Sequence, residues 1–195
     1  MIQRFSKSDW QYLLPVVVVV AFFVGTNITG NLNKFELAYF SGGLLREPYR
    51  GITSHFVHGD FGHLLANIGG IIVARFFLKE LQVKSNFLFA AIVFLLIPLQ
   101  TSLQWIWDMY IFQNTDSFLI GFSGILYGVY SFILLSSIYG KQRFLALNIG
   151  LLTNTKVKEA VFVLTGIGFA WSLFPLISFS GHLTGFLSGA ILFLL

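Results

Sequence analysis

Long apolar runs, broken at short intervals by clusters of Lys, Arg, Asp and Asn, dominate the chain from Tyr12 to Leu195. A helix needs about 20 apolar residues to cross the hydrocarbon layer, because each residue advances it by only about 1.5 Å. Runs near that length predict six helical spans, at 12–28, 55–78, 87–105, 117–139, 160–176 and 179–195. The stretch 144–153 is apolar but half as long as a span, and it reads as an interfacial loop. The connection 29–54 is long and carries Phe35, Tyr39, Phe40 and Tyr49, aromatic rings suited to the membrane–water boundary. No tandem repeat or low-complexity tract interrupts the pattern, so one membrane domain over 1–195 is expected.

Composition agrees. Of 195 residues 56% are hydrophobic and 10% charged, against about 25% charged in an ordinary soluble domain. The absence of cysteine excludes disulfides and thiolate metal sites. The net charge of +4 is confined to a few loops, which points to anionic lipid rather than nucleic acid. The first apolar run has no small-residue cleavage site after it and reads as a retained span.

Charge also orients the chain. With the N-terminus inside, the inner segments hold Arg4, Lys7, Arg75, Lys79, Lys84, Lys141, Arg143, Lys156 and Lys158; the outer loops hold Lys34, Arg46 and Arg50. Cytoplasmic loops carry the Lys and Arg excess, so the expected topology is N-in and C-in. The connection between the third and fourth spans has Asp108 and Asp116 and no basic residue, which suits the outside.

In that topology the second, fourth and sixth spans run from outside to inside, each with unusual polar residues near its start. Ser123 is expected about 6 residues, or roughly 9 Å, into the fourth. His63 and Asn67 on the second and His182 on the sixth fall at a similar depth. Ionisable groups within spans are costly and are functional by default. Gly124 and Gly128 form a stripe on the fourth span, and Gly181, Gly185 and Gly189 one on the sixth; such stripes let helices approach closely. Tyr127 lies one turn below Ser123, where its ring would support the imidazole. His58 precedes His63 by five residues, about 140° around a helix, which suggests a rim or loop contact.

The chemistry follows from residue types. A serine hydroxyl needs a base within hydrogen-bond reach, and His182 is the candidate. No Asp or Glu lies in the last three spans, so a dyad is expected rather than a carboxylate triad. His63 and Asn67, four apart on one face, together with the Ser123 N–H, would supply donors to an oxyanion. Zinc is not expected, since no helix bears two histidines flanking a glutamate.

These segments resemble the rhomboid family of intramembrane serine proteases. The resemblance rests on Arg50 to His58, on Gly59-Asp-Phe-Gly-His63 to Asn67, on Gly121-Phe-Ser123-Gly124 to Gly128, and on Gly181-His182-Leu-Thr-Gly185 to Gly189, in the family's order. It implies an all-α, six-helix rhomboid-like bundle, with Ser123 as nucleophile, His182 as base, and His63 and Asn67 at the oxyanion. Gly121 and Gly124 flank the serine. It further implies transmembrane protein substrates, no cofactor, and a bacterial cytoplasmic membrane as the setting. Tyr49-Arg50 stands where the family has Trp-Arg, and Glu80 is shifted from a familiar glutamate position. The compact chain is also similar to the rhombosortase branch. Two other classes compete: an inactive rhomboid-like protein that binds membrane helices, and a small transporter, for which inverted repeats and charged pore residues would be expected.

Overall fold

In the computed structural model, residues 7–175 and 177–195 are described; Arg4, the Lys7 side chain and Leu176, at the end of the expected fifth span, fall outside that description. Six long helices form the body. They are α1 (Trp10–Phe23), α4 (Phe61–Glu80), α5 (Leu88–Ile106), α6 (Ser123–Tyr139), α7 (Thr155–Trp171) and α8 (Phe179–Leu194). Short helices α2 (Lys34–Leu37) and α3 (Arg50–Thr53) lie in the first long connection. The helical stretches Trp10–Ile28, Phe61–Glu80 and Leu88–Ile111 are long and apolar enough to cross a membrane; α6 and α8 are apolar but shorter.

Helix starts differ from the expectation at two places that matter. The second span, expected from residue 55, begins at Phe61, because Asp60 adopts extended backbone and its side chain accepts the His63 N–H at 2.9 Å. The fourth, expected from 117, begins at Ser123 itself. Before it, β2 (Phe118–Leu119) pairs antiparallel with β1 (Tyr39–Phe40), and Gly121 takes φ +116°, a conformation that side chains rarely tolerate. Hydropathy alone cannot separate these apolar extended segments from helix.

Two further stretches are more ordered than expected. The third span runs on through a wide helical turn to Ile111, so Asp108 sits on its last turn, 4% exposed. Residues 144–153 form most of a hairpin, β3 (Lys141–Phe144) against β4 (Leu147–Leu151), whose Phe144, Ile149 and Leu151 are buried. The long first connection is held by Arg50, whose guanidinium donates to Glu47 Oε2 and to the carbonyls of Phe35 and Ala38 at 2.6 and 3.1 Å. Tyr49, the residue at the Trp position, stays half exposed.

Helix α6 is central and packs on α8, α7, α4 and α5. Its buried Phe132 and Ile133 join Ile71, Leu78, Phe89, Ile92 and Leu96 in one core. Ser123 and His182, at the starts of α6 and α8, meet at one end of the bundle. At the other end Lys141 donates to Phe193 O and Asn154 lies on Glu80 O. The three helices α4, α6 and α8 therefore run parallel. That second end also holds the buried Asp9, which pairs with Arg75 at 2.8 Å and Lys79 at 2.9 Å.

Candidate catalytic site

Ser123 owes its place to the strand and turn before it. The Gly121 N–H donates to Ser54 O at 2.9 Å, tying the chain to the end of α3, and the positive φ at Gly121 then turns it into α6. A Cβ at Gly121 would meet His63 Nε2 at 2.6 Å, so glycine is needed for backbone angle and for space alike. Ser123 is the first residue of α6, and the first N–H to bond in that helix is Leu126, to Phe122 O. The N–H groups of Ser123, Gly124 and Ile125 therefore precede the ladder and lie at the positive pole of the helix. Six residues inside a helix, as expected from hydropathy, the Ser123 N–H would already be spent on a carbonyl.

His182 lies on the first turn of α8, where the Ser178 side chain caps Gly181 N–H at 3.0 Å. Its Nε2 is 2.9 Å from Ser123 Oγ. The Tyr127 ring stacks on the imidazole at 4.3 Å and 13°. Close approach of the two helices makes this reach possible: Gly185 and Gly189 sit against the carbonyls of Gly124 and Gly128. Gly124 also faces Gly181 O, and Gly181 packs against Ser178.

His63 and Asn67 share a face of α4, and the His63 ring points at Gly121. His58 is not at the rim. It precedes the helix, is fully buried, and accepts from Asn67 Nδ2 at 2.8 Å through Nε2. Its Nδ1 is 3.1 Å from Phe56 O, an acceptor only, so Nδ1 carries the proton and Nε2 is bare. One Asn67 N–H is thereby committed and the amide plane is fixed, leaving the second N–H available. The Asp60 cap and the Gly59-Asp60 break were the signals that His58 leaves the helix.

Several polar contacts around the site were not expected from the sequence. Ser172 Oγ lies 2.5 Å from His182 Nδ1. Tyr39 donates to Asp108 at 2.9 Å, Gln104 donates to the other Asp108 oxygen at 3.0 Å, and Thr184 donates to Gln104 Oε1 at 2.8 Å. Burial, reinforced by the Asp108 carboxylate, pushes the Tyr39 phenol up, so it persists as a donor far into alkaline pH. These groups join the first connection, α5 and α8 behind the site. Tyr39 and Thr184 reach this group only through space, and the Gln104–Asp108 pair, four apart, was hidden because the third span was expected to end at 105.

Ser123 lines both a small cavity and a larger groove. The small cavity, about 40 Å³, is lined by His55, Gln100, Gln104, Ser123 and His182. The larger groove, about 310 Å³, runs between α4 and α7, lined by Asn67, Gly70, Tyr127, Thr165 and Gly168 with Ser123 at its head. Among the described residues no cluster of His, Asp and Glu is arranged to hold a metal ion.

Comparison with curated proteins finds no match. The family model of the Rhomboid domain matches residues 45–195, which takes in α3 to α8 with Ser123, His182, His63 and Asn67. This span, more than three-quarters of the chain, covers the apolar helices as well as the polar cluster, so the chain belongs to the rhomboid family of integral membrane proteins, whose members are generally intramembrane serine proteases.

Proposed function

We propose that this protein is an intramembrane serine endopeptidase that cuts transmembrane protein substrates. The observation that carries the reading is the 2.9 Å approach of Ser123 Oγ to His182 Nε2 under a stacked Tyr127 ring. In the first step His182 Nε2 takes the hydroxyl proton as Oγ bonds to the scissile carbonyl carbon. The oxyanion receives hydrogen bonds from the Ser123 N–H, the Asn67 amide and His63. His182 then passes the proton to the departing amine, leaving an acyl-serine. A water, deprotonated by the same imidazole, releases the acid and restores the serine.

The bundle fits insertion as six spans with both termini inside. The end opposite Ser123 carries Arg75, Lys79, Lys84, Lys141, Arg143, Lys156 and Lys158, and basic residues favour the cytoplasm. A bacterial cytoplasmic membrane is the setting this reading favours. A substrate helix would reach Ser123 sideways through the groove between α4 and α7. The rhombosortase branch and the broader family share these features. An inactive helix-binding relative is the competing reading, and the intact Ser123–His182 contact argues against it.

Labelling by a serine-directed fluorophosphonate in detergent tests the proposal. Labelling lost in Ser123→Ala and kept in Lys84→Ala is expected, with His182→Ala abolishing cleavage of a model transmembrane substrate. Absence of labelling in the folded wild type, or unchanged turnover in His182→Ala, would overturn it. A cross-link pinning α7 to α4 is expected to stop turnover of transmembrane substrates.

A further inference from the structure

The contact between Ser172 and His182 goes beyond the dyad. Ser172 follows the last turn of α7 and is 2% exposed. Its hydroxyl lies 2.5 Å from His182 Nδ1 and 2.7 Å from the Gly168 carbonyl, with the Tyr127 side chain also against it. A hydroxyl has one proton to give, and a carbonyl oxygen has none. If Ser172 gave its proton to Nδ1, Oγ and the Gly168 oxygen would face each other at 2.7 Å with no proton between them. With the proton on the Gly168 side, Nδ1 must bring its own. The imidazole is then the Nδ1–H tautomer, and Nε2 is bare toward Ser123, as a general base requires.

We propose that Ser172 is the positioning residue for His182: it selects the base-competent tautomer and makes that tautomer depend on the seating of α7. The inference rests on the reading of Ser123 and His182 as the catalytic pair. Serines that bond back to the carbonyl four residues earlier are ordinary in membrane helices. The second partner is what sets this one apart. Ser172 stands where a triad places a carboxylate. A neutral hydroxyl orients the ring and chooses the tautomer, yet adds no charge to hold an imidazolium.

The surroundings make the bond contingent. Ser172 N–H donates to Gly168 O at 2.9 Å, so the hydroxyl is fixed to the end of α7 rather than to α8. A Cβ at Gly168 would overlap the Tyr127 hydroxyl, which therefore rests on α7 as well. The imidazole is thus held by three helices: Ser123 and Tyr127 from α6, Ser172 from α7, and its own backbone on α8. Helix α7 also forms one wall of the groove. A displacement of α7 by about 1 Å takes Nδ1 out of hydrogen-bond range, an error that can cost about a hundredfold in rate. Substrate that wedges α7 outward disarms the base until the helix reseats.

The test uses the full chain in detergent with a model transmembrane substrate. Ser172→Ala is expected to lower kcat about ten- to a hundredfold with KM within about twofold, and Ser172→Thr to restore most of the loss. The tautomer is read separately, by nitrogen NMR of histidine-labelled protein in the Ser123→Ala background, with His182→Ala assigning the signal. Nδ1 is expected to carry the proton, and Ser172→Ala to shift the population toward Nε2–H. An unchanged tautomer in Ser172→Ala, or a Thr variant as slow as the Ala variant at equal melting temperature, would overturn the inference. A wild type without turnover would sink the protease reading, while the NMR result would still decide the role of Ser172.

Discussion

Gly185 lies against the carbonyl group of Gly124 so closely that a Cβ at position 185 would overlap its oxygen. One turn on, Gly189 stands in the same relation to Gly128. This seam sets the distance between α6 and α8, and hence between the hydroxyl of Ser123 and the ring of His182.

Gly185→Ala therefore weighs two opposing terms. Alanine favours helix over glycine by about 1 kcal/mol. Overlap with a backbone atom that cannot swing aside costs about 1–3 kcal/mol and separates the helices. A net loss in thermal stability is expected, with a larger loss in turnover. Gly166→Ala is the contrast: its Cβ would meet nothing within 4 Å, so thermal unfolding should show no loss.

His63→Ala and Asn67→Ala test the oxyanion role. Each is expected to lower kcat by ~10²–10³ with little change in KM. Initial-rate kinetics on a transmembrane substrate measures this. A loss confined to KM would assign these side chains to binding instead.

His58→Ala removes the acceptor that fixes the Asn67 amide. The freed amide rotates, and kcat is expected to fall about ten- to a hundredfold although His58 touches no substrate. Combined with Asn67→Ala, the second change should add little, since both act through one hydrogen bond. A double-mutant cycle in kcat checks this.

Asp9 is fully buried between Arg75 and Lys79, and joins the start of α1 to the end of α4. Asp9→Asn leaves two cations facing a neutral amide, and a loss of roughly 3–5 kcal/mol is expected. Equilibrium unfolding in mixed micelles measures it. Turnover of the protein that remains folded should be near normal, because the pair is at the end opposite Ser123.

Much of this architecture was legible in the sequence. Apolar run length located the six long helices, except that α7 (Thr155–Trp171) lies five residues before the expected 160–176 and takes in Glu159, an acidic residue not expected in the last three spans; the order of polar residues along them placed Ser123, His63, Asn67 and His182 at one end. The boundaries were not legible, because Phe56 and Val57 before α4 and Phe118 to Phe122 before α6 are as apolar as helix. Only the Asp60 cap and the Gly121 turn mark where helix begins. His58 was misplaced for that reason. Asp108 read as a solvent loop because the third span was expected to end at 105, which hid its i−4 partner Gln104, while its other partner, Tyr39, is 69 residues away. Ser172 was invisible in another way: a serine at a helix end has an ordinary local explanation, and its bond to His182 exists only in three dimensions.

Helix α7 has 17 residues and turns large apolar side chains such as Phe162, Val163 and Ile167 outward. At about 1.5 Å per residue it reaches about 25 Å, short of a hydrocarbon layer of about 30 Å. With α7 spanning the bilayer, as proposed above, acyl tails beside it compress at a cost of fractions of a kcal/mol per Å. On the proposed reading the bilayer dips along the α7 flank, and a membrane drawn thin there brings hydration down toward Ser123, which the lipid would otherwise keep dry.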